Sequence, residues 1–446
     1  MTARLLPQLL YYISMPVQQN ARILEPLDQS RTWPVMVFSH GLGGSRNAYS
    51  HICGSLASHG LVVVAPQHRD GSAPLSVLQT PDQKEKTQHV EYRPIAHKPS
   101  AEVYKARDEQ LRIRLWEMGL VCDALTKMDQ GMRLTNVAPA QPRKNESNLL
   151  SMFHNILHVH EPGAISFTGH SFGACTMIQF VKSVYYRGNG THIPHDDKPL
   201  FTPSPTSSLI RQITPATPVT LLDLWTLPIQ SPDTAWLRAQ PMPCYDAPTG
   251  GQTLLAIASE GFYNWSTNFR ETQRLLAKPA RSRSRHPDQV GPHIFYPVAS
   301  AHLSQSDFGI LFPWVTTKVF GAKEPERVLK LNTRAILQML RENGVRVANT
   351  SAVDLEIDEE VAAAAAAAVT SAEVAQDTAI LSRKRDSVRG WVSLSGDVEG
   401  ASDGDPVQTM HGDSLVDAPD QRVGSDGSGP GDAMLQGETF GPRREK

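Results

Sequence analysis

The chain has no uninterrupted apolar run of the roughly 18 residues needed to cross a bilayer, so no transmembrane helix is expected. Cysteine is scarce, four in 446 residues, which excludes a disulfide scaffold. Neither sign of charge is in excess. Lys and Arg total 43, Asp and Glu 45, and the formal net charge is −2. A near-neutral chain carries no electrostatic footprint for nucleic acid. What is present is 40% apolar residues, enough for a sizeable core but slightly low for a chain globular throughout. Gly 31 and Pro 33 run above average usage and point to long loops or a tail.

Met1 to Val17 is apolar, with Leu6, Leu9, Leu10, Tyr11 and Tyr12, but no small-residue cleavage site follows it. It reads as a core or interfacial segment able to touch a bilayer surface rather than a signal peptide. A cytoplasmic or peripheral membrane location is expected. From about Trp33 to Gly344 short β-branched runs alternate with helical patterns, the signature of a mainly parallel sheet with helices on both faces. The runs are Pro34–Phe38, Leu61–Ala65, Ala164–Thr168, Val219–Leu222, Leu254–Ile257 and His293–Val298. Leu111, Leu115, Met118, Cys122 and Leu125 mark one face of a helix, with Glu109, Arg112, Arg114 and Glu117 elsewhere on it. A second helix opens near Pro325 and stops at Gly344, the usual asymmetry of these residues. Its apolar face holds Val328, Leu329, Ala335, Ile336, Met339 and Leu340. Residues 80–100 and the insertion at about 187–218 break the pattern and read as long irregular loops. Residues 1–350 are therefore expected to form the catalytic domain. Residues 351–446, with an alanine run followed by Asp/Gly/Ser-rich sequence, read as a disordered tail.

The strongest chemical signal is Gly169-His170-Ser171-Phe172-Gly173. It fits G-x-S-x-G directly after a strand and before a helical pattern, the context of a nucleophile elbow. Ser171 is the candidate nucleophile. The N–H of Phe172, next in the chain, is one candidate oxyanion donor. The second is the N–H of Leu42, in the loop His40-Gly41-Leu42-Gly43-Gly44 that follows the first strand; backbone donors are fixed before the reaction. A base must come late in the chain. His302, in the loop after the last strand, is the histidine positioned to reach the sheet edge. Asp223 and Glu260 both end strands where a carboxylate can hold the histidine tautomer, and spacing alone leaves both open. His154 and His158 stand at i, i+4, a zinc-ligand spacing, but have no matched carboxylate or cysteine partner. No metal or cofactor is expected.

Several of these segments together resemble one family. They are Val35-Met-Val-Phe-Ser-His-Gly-Leu-Gly-Gly44, Leu56-Ala-Ser-His-Gly60, His68-Arg-Asp-Gly-Ser-Ala73, Arg107-Asp-Glu-Gln-Leu-Arg112, the elbow, Leu222-Asp-Leu-Trp225, and His302 followed by Asp307-Phe308. In this order they are similar to the platelet-activating factor acetylhydrolases of the plasma and intracellular type II class (group VII phospholipases A2), in a fungal-like variant. The similarity runs over about Trp33 to Leu355. It implies an α/β-hydrolase fold and calcium-independent removal of short or oxidised sn-2 acyl chains from phospholipids. It also implies Ser171 as nucleophile, His302 as base, Leu42 and Phe172 as oxyanion donors, and Asp223, in its Leu-Asp-x-Trp motif, as the acid. Three departures stand out. The elbow ends in Gly173-Ala174 where the family has Gly-Gly. Ser171 and Asp223 lie 52 positions apart, a long gap, and only about 34 residues precede the His-Gly strand, so early edge strands are expected to be missing. A general carboxylesterase or lipase and a catalytically silent interaction protein are the competing readings.

Overall fold

The computed structural model describes residues 14, 17–18, 20–26, 32–78, 88–136, 149–188, 193–195, 197–279, 289–355, 377–384 and 387–396. The N-terminal apolar segment lies almost wholly outside them. The strands are β1 (Trp33–Ser39), β2 (Val62–Val64), β3 (Leu75–Leu78), β4 (Gln88–Glu91), β5 (Leu157–His158), β6 (Ile165–His170), β7 (Val219–Leu222), β8 (Leu254–Ile257), β9 (His293–Pro297) and β10 (Trp391–Ser393). The longer helices are α1 (Ser50–Ser58), α2 (Ala101–Asp129), α3 (Phe172–Gly188), α4 (Ser266–Leu276), α5 (Pro313–Phe320) and α6 (Pro325–Glu342).

The main sheet runs β10-β9-β8-β7-β6-β1-β2, with the short β5 also pairing β1. From β2 to β9 every neighbour is parallel. All six runs read from the sequence are in it. Because the ladder is parallel, β1, β6, β7, β8 and β9 release their following loops at one edge, where ligand sites of such sheets form.

Alternate residues of a strand face opposite sides, and β1 divides the core accordingly. Val35 and Val37 pack with α2, α3 and α4 residues such as Leu111, Phe180 and Leu276. Met36 and Phe38 pack on the other face with Ile52 and Leu56 of α1 and Ile336 and Leu340 of α6. This is an α/β-hydrolase arrangement with helices on both faces. Ser100 caps α2 by accepting the Val103 N–H at 3.2 Å. Pro325 opens α6, and Gly344, at φ 77°, follows its end.

Three expectations need correction. Residues 351–446 do not lack structure throughout: β10 pairs antiparallel with β9. Trp391 is buried there, its ring stacked on Phe295 with centroids 5.2 Å apart, and its Nε1–H donates to the Ile380 carbonyl at 2.8 Å. Asp377 is buried against Arg334, accepting from Nε at 2.7 Å and Nη2 at 3.0 Å. An average over a polar segment hides this apolar island; residues 356–376 and 397–446 lie outside the described residues. Residues 80–100 are not all irregular, since β4 forms an antiparallel pair with β3. The insertion packs onto α3 instead of standing off as a loop. Leu200, Leu209 and Ile213 are buried, and Arg187 pairs with Asp197 at 2.5 Å in its interior.

Candidate active site

Ser171 sits between β6 and α3 with φ 55°, the left-handed region where non-glycine residues are uncommon. The turn is held on both sides. The Ser171 N–H donates to the Leu222 carbonyl at 2.8 Å, and the Ser171 carbonyl accepts the Cys175 N–H at 3.2 Å. The flanking glycines are required by close approach: a methyl on Gly169 would overlap the Gly173 carbonyl, and one on Gly173 would overlap the Ser39 carbonyl. The departure at Ala174 is harmless, because its methyl fits the core, fully buried.

Asp223 follows β7, also left-handed at φ 45° and 1% exposed. One carboxylate oxygen accepts the Ser259 N–H. The other, Oδ2, lies 2.9 Å from Nδ1 of His302. A carboxylate there accepts a hydrogen bond from Nδ1–H, which keeps the proton on Nδ1 and leaves the lone pair on Nε2. The His302 ring is stacked on Phe262, with centroids 4.4 Å apart and planes 11° from parallel. On its other side the ring centroid of His170, the residue bonded to Ser171, is 4.4 Å away. The loop after β9 is thus folded back onto the elbow. Glu260, the alternative acid, does not meet His302 in this arrangement; its Oε2 accepts the Ala299 N–H at 2.5 Å, where the backbone turns at φ 55°.

The loop after β1 completes the cluster. Gly41 runs so close to the nucleophile that a Cβ on it would stand 3.1 Å from the Ser171 Cβ. Its N–H donates to the Tyr49 hydroxyl at 3.0 Å. His40 Nε2 accepts the His68 N–H at 3.1 Å, so the proton is on Nδ1, which donates to the Gly41 carbonyl at 2.9 Å. That carbonyl belongs to the Gly41–Leu42 peptide, so the bond also fixes the direction of the Leu42 N–H. Among the described residues neither the Leu42 N–H nor the Phe172 N–H donates to a protein acceptor. Unpaired N–H groups are rare in protein interiors.

Beneath this loop lies a charged network. Arg114 and Glu117, expected away from the buried face of α2, are themselves buried, because α2 is covered on two sides. The Arg114 guanidinium donates to the His40 carbonyl at 2.9 Å and to Asp70 Oδ2 at 2.6 Å, and its centre lies 4.3 Å over the Phe172 ring. Burial by itself raises the Asp70 carboxyl, but Arg114, His68 and Ser72 outweigh it and hold it at about 2. Desolvation, then Arg114, keeps both His40 and His68 well below the ordinary histidine range. Ser39, His68 and Glu117 repeat a Ser–His–acid hydrogen-bond chain at 2.8 Å per link, but the chain is enclosed and braces the loop. Spacing alone hid this group: its members come from three elements and meet only in the folded chain.

The pair His154 and His158 does not share a helix. Leu157–His158 is strand β5, and Asp129 accepts from His160 at 2.8 Å. His192 and Asp196, in the insertion, lie outside the described residues. His170 is the site residue that carried no expectation.

A family model described as platelet-activating factor acetylhydrolase, isoform II, matches residues 1–360. The chain belongs to this family. The Schizosaccharomyces pombe protein described as a putative phospholipase A2 is 30% identical over 352 residues, covering 75% of this chain and 72% of that protein. The platelet-activating factor acetylhydrolase of Canis lupus familiaris is 30% identical over 40% of this chain and 38% of its own length. That of Bos taurus is 34% identical over 38% and 36%. Membership makes the chain an ester hydrolase of α/β-hydrolase type with a phospholipid as substrate. Among the described residues no helix is long and apolar enough to cross a membrane.

Proposed function

We propose that this chain is a calcium-independent serine esterase that removes acetyl or other short or oxidised acyl groups from the sn-2 position of phospholipids. Ser171 is the nucleophile, His302 the base, Asp223 its partner, and the Leu42 and Phe172 N–H groups the oxyanion donors. The observation that carries this reading is the 2.9 Å His302–Asp223 hydrogen bond, on a ring that lies against the residue preceding a left-handed Ser171.

The chemistry follows from these positions. His302 Nε2 takes the Ser171 proton as Oγ attacks the ester carbonyl. The new oxyanion is held by the two backbone donors, which need no reorganisation. His302 then returns the proton to the departing lysophospholipid oxygen. Water, deprotonated in the same way, releases the carboxylic acid from Ser171. Backbone donors supply the charge stabilisation that a Lewis-acid metal would otherwise provide, which supports calcium independence. The catalytic unit is residues 1–350. The apolar segment at Leu6 to Tyr12 supplies peripheral contact with the bilayer that presents the substrate.

Turnover of a 2-acetyl phospholipid should exceed that of its long-chain counterpart, and a fluorophosphonate probe should label wild type but not Ser171→Ala. Equal turnover of long chains, or of soluble esters alone, assigns a general carboxylesterase instead. Full activity in Ser171→Ala removes the proposal.

A further inference from the structure

His170 takes no part in the reaction just described, yet it faces the pair that does. The residue is 4% exposed. Nδ1 is hydrogen-bonded to the Tyr49 hydroxyl at 2.8 Å. Nε2 is buried without a hydrogen-bond partner among the described residues and lies 4.0 Å from Asp223 Oδ2, the oxygen that accepts from His302 at 2.9 Å. One donor atom from each of His170, Asp223 and His302 falls within 4.8 Å of the others.

We propose that His170, Asp223 and His302 form a binding site for a divalent transition ion, zinc above all, and that occupancy switches the esterase off. Two imidazoles and a carboxylate are a zinc donor set, with bonds of roughly 2.0–2.2 Å. A tetrahedral ion with such bonds holds its ligand atoms about 3.4 Å apart. The two observed separations to Asp223 Oδ2, 2.9 and 4.0 Å, bracket that value, and all three donor atoms lie within 4.8 Å of one another, so an ion would draw the two rings inward. The ion selects the His170 tautomer in which Nδ1–H donates to the Tyr49 oxygen, which puts the lone pair on Nε2. Of the three ligand side chains, that of His302, 27% exposed, is the one that meets solvent, and a water on that side would be the fourth ligand.

The effect on catalysis rests on His302 being the base. A neutral imidazole holds one proton. When Nδ1 binds the ion, the bond to Asp223 is broken and that proton moves to Nε2, so no proton is lost overall. Nε2 then has no lone pair with which to take the serine proton. A hard ion such as Mg²⁺, which prefers oxygen ligands, should leave activity unchanged.

The test uses the full chain freed of metal by chelator. Calorimetric titration with zinc chloride should show one tight site in wild type, and His170→Phe should weaken it by about tenfold or more. Ser171→Ala, silent toward esters, should bind zinc as wild type does, so the ion site and the esterase reading fail or stand separately. Zinc should inhibit wild-type turnover, with recovery on adding chelator. Should His170→Phe fail to fold, as thermal melting shows, His170→Gln serves in its place. Equal zinc affinity in wild type and the folded His170 variant, or no zinc bound by wild type, overturns the site. Tight binding without inhibition overturns the switch.

Discussion

The Asp307 carboxylate caps the helix that begins at Ser50. Oδ2 accepts the Ser50 N–H at 2.6 Å, and Oδ1 accepts the next N–H, that of His51, at 2.9 Å. The Asp307 N–H in turn donates to the Ala48 carbonyl at 2.9 Å. The loop bearing His302 is therefore tied to α1 five residues beyond the imidazole. Asp307→Ala removes both acceptors from a helix N-terminus, where such caps contribute about 0.5–2 kcal/mol. Urea unfolding should show a loss of this size. The freed loop should lower kcat more than it raises KM, and Asp307→Asn, keeping one acceptor, should fall between.

Asp223 and Glu260 offer a contrast between two carboxylates at the same sheet edge. Asp223→Asn should cost about 10⁴ in kcat, because an amide cannot hold the imidazole in its working tautomer. Glu260→Gln should cost less than about tenfold, since its contact is to the Ala299 N–H, which an amide oxygen still accepts. Steady-state kinetics of the two variants side by side decides the acid, and the reverse order would reassign it.

Gly173 tests the elbow itself. Any side chain there enters the Ser39 carbonyl, and neither strand nor helix can retreat from a packed core. Gly173→Ala is expected to lose more than about 4 kcal/mol of stability or to accumulate as insoluble protein. Soluble yield and denaturant midpoint measure this.

Lys182 gives a pH signature. It is fully buried, with Nζ donating to the Arg238 carbonyl at 3.1 Å. Burial first, then the Arg238 charge, lowers it from 10.5 to about 7. Between these values the unfolded chain binds a proton that the native chain does not, so stability rises with pH across that window. Below about 7 both states are protonated and the full penalty applies. Lys182→Met should therefore stabilise the protein most below pH 7 and progressively less toward pH 10.5. Denaturant midpoints at pH 6, 8 and 10 reveal the slope and its disappearance in the variant.

The six parallel strands were legible because each is buried on both faces and reads as an unbroken apolar run. The elbow and His302 were legible because their chemistry is tied to strand ends. Asp223 was not separable from Glu260 by position, since both follow strands of the same sheet. The family resemblance favours Asp223, and His302 meets that residue. Arg114 and Glu117 misled because charge on a helix ordinarily means solvent, whereas these two satisfy each other's surroundings through Asp70, His68 and the His40 carbonyl. Trp391 was lost in polar company. His170 carried no signal: as the variable position of G-x-S-x-G it gains meaning only when the His302 loop returns.

Among the described strands, β10 is synthesised last. Some 90 residues separate His302 from Trp391, roughly ten seconds of translation. Throughout that interval every proposed catalytic side chain has emerged while β9 still presents a bare row of N–H and C=O groups, a template for pairing with another nascent chain. The strand that covers this edge is thus short, late and outside the catalytic sequence. A stalled ribosome or a premature stop in this stretch would release a polypeptide with its chemistry in hand and its flank open.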